Sequence, residues 1–184
     1  MGLKDFSKSM LTDRKDAYEL LKDLGASQRL VHHAQLVAQA ADRLLQEFKA
    51  LGVTCDVQVV ELGAILHDAG KINHPQELSE PGTLHEQAGE AILLTHGVQP
   101  AIARCCSSHG AWNLPAASFE ERTVALADKL WKGKREADLE LSIIDEIATK
   151  LNVSRWDIFE RLDTAFEEIA SGGAERVQGS KPNI

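Results

Sequence analysis

One stretch limits what this chain can fold into more than any other. It is a largely apolar run that ends in two ionisable side chains set side by side: Glu61-Leu62-Gly63-Ala64-Ile65-Leu66-His67-Asp68-Ala69-Gly70-Lys71. Val59, Val60, Leu62, Ile65, Leu66 and Ala69 supply apolar faces, and Gly63 and Ala64 permit close packing. The pattern predicts a buried helix from about Asp56 to Ala69, with Gly70 as its stop. Taking His67 and Asp68 out of water is costly unless something compensates them. A bound cation would compensate both at once, whereas a histidine capped by its neighbouring aspartate would be a purely structural solution. Lys71 places a positive charge beside the pair.

Such a helix needs a full shell around it, and a chain of 184 residues can build one in a single domain. The formal net charge of −8 argues against broad binding to nucleic acid or to an anionic membrane. It leaves room for a small anionic ligand where a metal or basic group reverses the local field. No stretch approaches the roughly 18 apolar residues of a membrane span. Met1 to Met10 is polar and lacks the apolar core of a signal peptide, so a cytoplasmic protein is expected. Cys55, Cys105 and Cys106 have neither disulfide-framework nor zinc-ribbon spacing. Cys105 and Cys106 read as small core residues, although Cys105 stands four residues before His109.

The rest of the chain reads as helix after helix. Asp13 to Leu24 has Thr12 as a candidate cap and Gly25 as its stop. Ser27 opens a long helix to about Leu51, with Leu30, Ala34, Val37, Ala38, Ala41, Leu44, Leu45 and Phe48 on its core face. Asn73 to Gly82 is a loop. Thr83 and Glu86 form a capping-box pattern that starts the next helix, and Ser118 and Glu121 form another. Pro100 begins a short helix over Ala101 to Ser108, and Ala111 to Ala117 is a second loop. Lys129 to Arg135 is locally basic, as a solvated helix end or as a lid over a phosphate. Helices from about Asp138 to Leu151 and from Ser154 to Ala170 follow, ended by Ser171-Gly172-Gly173. The expected fold class is all-α.

His33 lies inside the long helix near Leu30, Ala34 and Val37, while His32 points about 100° away and reads as exposed. Asp128 is an acidic residue within the apolar helix Val124 to Leu130 and needs a partner. His85 falls in the first turn of its helix, and His109 at the end of another.

The order His33, His67-Asp68, His85, His109, Asp128 resembles the HD-domain superfamily of metal-dependent phosphohydrolases. Arg29-Leu30-Val31-His32-His33-Ala34 is similar to the family's first helix, Leu66 to Lys71 to its signature, and Ala127-Asp128-Lys129-Leu130 to its last metal ligand. The resemblance implies a single-domain helical bundle with the metal site in its core. In that bundle residues 1–26 form an N-terminal helix packed on the core and 27–135 the HD domain. Residues 136–171 form a completing helical pair, and 172–184 a flexible tail. It implies that His33, His67, Asp68 and Asp128 bind a divalent cation, and that His85 and His109 match the extra histidines of binuclear members. Two metals are therefore expected, drawn from Mn, Fe, Co, Ni or Zn.

The activity implied is hydrolysis of a phosphate ester or phosphodiester of a small anionic substrate, such as a nucleotide, by metal-activated water. Asp68 and Lys71 would be catalytic, and Lys71 and Arg29 would bind substrate phosphate, with His74 a further candidate. Arg29 could equally pair with a carboxylate at the rim of the core. The stretch His109 to Asn113 resembles the one before the Gly-Tyr-Pro signature of cyclic-dinucleotide phosphodiesterases. No Gly-Tyr-Pro follows and Ser108 precedes His109, which argues against that branch. The same six ligands would serve an HD-fold mixed-valent di-iron oxygenase. A non-catalytic module stabilised by metal is a third alternative. Neither loop carries a motif that names a substrate, and no motif sets an oligomeric state.

Overall fold

The computed structural model describes residues 11–179; the expectation for Met1 to Met10 and the end of the expected tail, 180–184, lie outside the described residues. The helices are α1 (Arg14–Asp23), α2 (Gln28–Leu51), α3 (Val57–Leu66), α4 (Leu84–Thr95), α5 (Pro100–Ala103), α6 (Cys105–Ser108), α7 (Phe119–Leu130), α8 (Ala137–Leu151), α9 (Arg155–Ala170) and α10 (Gly173–Gly179). Short 3-10 turns cover Ala69–Ile72 and Pro75–Leu78. The fold is all-α, and no strand occurs among the described residues. None of these helices is long and apolar enough to cross a membrane.

The C-terminal half of α3, Leu62 to Leu66, is apolar on every side because it separates two cores. Val60 and Ala64 pack into one core with the inner faces of α2, α7, α8 and α9. Leu62, Ile65 and Leu66 pack into the other, with α1, α4, α5 and Cys106 of α6. Each fully buried Leu or Ile on α3 contributes about 2 kcal/mol of apolar burial. Gly63 is small because a Cβ there would lie 2.6 Å from Cys105 Sγ. This double packing delivers the C-terminal end of α3, and the His67-Asp68 pair with it, into the middle of the protein.

Several expected boundaries shift, each for a local reason. The α-helix ends at Leu66, and the chain leaves helical geometry at Asp68 (φ −104°, ψ 14°) to tighten into the Ala69–Ile72 turn. Gly70 is therefore a contact glycine and not a helix stop: a Cβ there would lie 1.9 Å from the carbonyl oxygen of His85. Asp13, and not Thr12, caps α1, accepting from the Asp16 N–H. Ser27 caps α2 and Ser118 closes a full capping box on α7, as their sequences imply. Thr83 makes no capping bond; Glu77 supplies it from the preceding loop. Pro100 to Ser108 is split at Arg104 into α5 and α6.

Residues 173–179 of the expected flexible tail are helical. Arg176 on α10 donates to the carbonyls of Leu130, Trp131, Ile169 and Ser171, so it caps the end of α7 and joins it to the end of α9. Arg135 likewise is not a lid group: its guanidinium binds Glu140, Asp163 and Glu167 and ties the start of α8 to α9.

Candidate metal centre

Five helices bring six side chains to one point. His33 comes from the second turn of α2, His67 and Asp68 from the end of α3, and His85 from the first turn of α4. His109 follows α6 directly, and Asp128 lies in the last turn of α7. All are buried except His33, whose side chain keeps 14% of its exposure.

Asp68 is the hub. Its Oδ2 lies 2.9 Å from His33 Nε2 and 3.6 Å from His67 Nε2. Its Oδ1 lies 3.2 Å from His85 Nε2 and 3.7 Å from His109 Nε2. Asp128 Oδ1 joins the first side, 3.7 Å from His33 Nε2 and 3.6 Å from His67 Nε2. Two groupings that could each hold a metal result, His33–His67–Asp68 and Asp68–His85–His109, sharing the one carboxylate.

The remaining ring nitrogens are committed elsewhere. His67 Nδ1 donates to the Ala64 carbonyl at 2.9 Å, and His109 Nδ1 to the Cys106 carbonyl at 2.8 Å. His85 Nδ1 donates to Glu77 Oε2 at 2.5 Å. These bonds place the proton on Nδ1 and leave the Nε2 lone pair of each ring aimed inward, the tautomer a metal ligand needs. Trp131 supports the other side, its Nε1 donating to Asp128 Oδ1 at 3.2 Å and its ring packing edge-on to His33.

The donor set fits cations on two grounds. Two atoms that each lie about 2.1 Å from one ion are about 3.0 Å apart at a right angle and about 3.4 Å apart at the tetrahedral angle. The Nε2 and carboxylate oxygens here are separated by 2.9 to 3.7 Å. In addition, Asp68 Oδ1 and His85 Nε2 are both buried and have no hydrogen-bond partner, although they lie only 3.2 Å apart. Leaving such groups unsatisfied is costly, and a shared cation removes the cost.

Electrostatics sharpen this picture. Burial alone would raise Asp68, but His67, His33 and His85 hold its carboxyl well below the usual range. Burial would also raise Asp128, and it is overcome by His67 and Lys132. His67 is lifted above its ordinary value because Asp68 and Asp128 outweigh its burial, and His85 is lifted by Asp68 and Glu77 in the same way. Burial, reinforced by the charge of His67, pushes His109 down to about 4, so its imidazole is neutral at physiological pH.

Two ammonium groups stand at the carboxylates. Lys71 donates to Asp68 Oδ2 at 2.6 Å, as its place beside the pair implies. Lys132 donates to Asp128 Oδ2 at 2.9 Å, so one cation of the basic stretch belongs to the site and not to a solvated end. Arg29 is not brought into the cluster: its guanidinium donates to Leu78 O and Ser79 Oγ and pins the loop that follows the signature. One turn of helix separates it from His33, but its long side chain follows the loop carbonyl instead. Cys105 is no ligand, because its Sγ faces the Ala101 carbonyl and Gly63, and burial pushes its thiol up. His32 is exposed, as expected.

Glu77, Trp131 and Lys132 are the site neighbours that sequence reasoning missed. Trp131 and Lys132 stand three and four residues after Asp128, a spacing that puts them on its helix face and could have found them. Glu77 carries no such signal, since only the fold of the loop brings it to His85.

The comparisons with known proteins agree with this geometry. The HD domain family model matches residues 30–132, more than half of the chain and a span that contains all six clustered side chains. The tRNA (cytidine(56)-2'-O)-methyltransferase of Thermoplasma volcanium is 26% identical over 156 residues, which is 77% of this chain and 43% of that protein. An uncharacterized protein of Methanocaldococcus jannaschii is 30% identical over 139 residues, 67% of this chain and 78% of that protein. The chain thus spans less than half the length of the methyltransferase. No solved structure gives a significant match. On the family match, and with the residues that carry its signature gathered at one buried point, the chain belongs to the HD-domain superfamily.

Proposed function

We propose that this chain is a metal-dependent phosphohydrolase that cleaves a phosphate ester or phosphodiester of a small anionic substrate, such as a nucleotide. The observation that carries the reading is the two-sided cluster on Asp68, whose Oδ1 is buried with no hydrogen-bond partner. In it His33, His67, Asp68 and Asp128 would hold one divalent cation, and Asp68, His85 and His109 would hold a second. Bound cations of this kind acidify a water and neutralise charge on phosphoryl oxygens. The chain supplies the rest. His67, His85 and His109 present fixed lone pairs, and their Nδ1 bonds keep them from turning. His33 and the two lysines are the partly exposed groups of the site, and Lys71 is the group best placed to meet a phosphate oxygen as a point charge. Arg29 is assigned to the loop and not to the substrate.

The methyl transfer named for the Thermoplasma relative is not carried over, because the chain spans only 43% of that protein. The test is elemental analysis of protein purified without chelator or affinity metal, followed by a phosphate-ester panel with the metal found. Two equivalents that drop to one in H85A or H109A, with ester cleavage abolished in D68A, support the reading. Iron with substrate-dependent oxygen consumption would transfer it to the di-iron oxygenase class. No metal after supplementation would end it.

A further inference from the structure

Glu77 is a buried carboxylate that stands behind the site without facing the proposed cations, and both of its oxygens accept hydrogen bonds. It is 9% exposed, although it sits in a loop. Its Oε2 accepts the His85 Nδ1–H at 2.5 Å and the His85 backbone N–H at 3.0 Å, and Oε1 accepts the Leu84 N–H at 3.2 Å. The loop is built around this side chain. Gly82 leaves room for it, since a Cβ there would lie 2.2 Å from Oε1. Arg29 fixes Leu78 and Ser79, immediately after the Pro75–Leu78 turn that carries Glu77. By contrast, His67 and His109 are oriented only by carbonyls of their own helical turns. Of these three Nδ1 hydrogen bonds, the one from His85 is the one that runs to another segment.

We propose that Glu77 is a positioning residue for the His85–His109 half of the site, so that the loop 73–82 governs whether the chain holds one cation or two. The inference rests on the two-cation reading above. A carboxylate behind a ligand imidazole fixes its tautomer and orientation and raises its basicity, and removing such a partner lowers metal affinity by about 10- to 100-fold. Glu77→Gln is the informative change. With its amide oxygen on the Leu84 N–H, its NH₂ group meets Nδ1, favours the tautomer with hydrogen on Nε2, which cannot bind metal, and loses the His85 N–H cap. With the oxygen turned to His85 it keeps both His85 bonds but loses the charge that raises the basicity of the imidazole.

The experiment is calorimetric titration of Mn²⁺ or Co²⁺ into the chelator-stripped full chain, comparing wild type, E77Q and H85A, with urea unfolding of each metal-free protein. In E77Q the weaker of two binding events is expected to loosen by about tenfold or more. The tighter event stays within about twofold, and metal-free stability stays near wild type. E77Q with two wild-type affinities, or with both events weakened equally, would overturn the role of Glu77 while leaving the two-cation reading intact. Wild type that binds a single equivalent, or H85A that still binds two, would overturn the two-cation reading itself. The two failures therefore carry different signatures.

Discussion

Gly70→Ala tests whether the second half of the site is held in place by backbone contact. A Cβ at position 70 would lie 1.9 Å from the His85 carbonyl oxygen and 2.5 Å from the Gly89 nitrogen. Both are main-chain atoms of α4, so no side-chain rotation relieves the clash. Restoring a 3.0 Å contact from 1.9 Å requires the Ala69–Ile72 turn and α4 to part by about 1.1 Å. Overpacking of this kind costs about 1–3 kcal/mol. The displaced carbonyl belongs to His85 itself, so the ring leaves with it. The present 3.2 Å from Nε2 to Asp68 Oδ1 would then stretch toward about 4.3 Å, past the roughly 4.2 Å that two donors on opposite sides of one cation can span. His33 and Asp128, on α2 and α7, are untouched. The assay pairs urea unfolding of the metal-free protein with metal content by elemental analysis. Expected are a stability loss of about 1–3 kcal/mol and one cation fewer than wild type. Gly52→Ala serves as the comparison: its φ of 81° makes alanine strained, at about 1 kcal/mol, yet open space surrounds it far from the cluster. A G70A protein with the wild-type urea midpoint and full metal content would refute the reasoning.

Further outcomes follow from the same geometry. His67 and His85 are shifted upward, so protons compete for their Nε2 lone pairs near neutrality; cation affinity should strengthen from about pH 6 to about pH 8, with proton release, and a flat titration series would contradict this. Asp68→Asn removes the charge shared by both groupings and should weaken both binding events in calorimetry, whereas selective loss of one would show that Asp68 does not bridge. Arg176→Ala leaves four carbonyls without their cationic donor and should cost about 1.5–3 kcal/mol in urea unfolding without altering metal content. Unchanged stability would mean that α10 is not part of the domain's support.

What the sequence made legible was whatever is encoded locally. The apolar run before His67 marked a buried helix, and Ser27, Gly52, Ser118 and Ser154 marked ends that the structure keeps. The order of the histidines and aspartates was enough, through its resemblance to the HD-domain superfamily, to imply that they meet. What failed was decided by contact between segments distant in sequence. Gly70 read as a stop because glycine after a helix usually is one, and nothing nearby reveals that α4 presses on it. Thr83 read as a cap because its spacing to Glu86 is right, yet Glu77 took the same N–H groups from outside the helix. Arg29 read as a phosphate ligand from its turn spacing to His33, and a loop carbonyl claimed it. Long flexible side chains are poorly fixed by helical register, whereas short ligands such as His67 and Asp68 have little freedom to depart from it.

The placement of the ligands also explains why a metal centre suits this architecture. Asp68 stands where α3, packed into both cores, comes to its end. His85 and His109 reach it from α4 and α6 on one side, and Asp128 from α7 on the other. Without a cation the two carboxylates are balanced by Lys71 and Lys132, each one turn along from its partner, so the opposing charges are local to one segment. Ligation replaces these local pairs with bonds that run between segments. A cation at a hundredfold excess over its Kd adds about 2.7 kcal/mol to the folded state. Here that energy is applied across α4 and α6 on one side of α3 and across α2 and α7 on the other. The groups that carry the chemistry are thus also the ones that join the two halves of the domain. The loop bearing Glu77 also lies outside the α-helices of that junction, and for that reason the proposed control of a second cation is assigned to it.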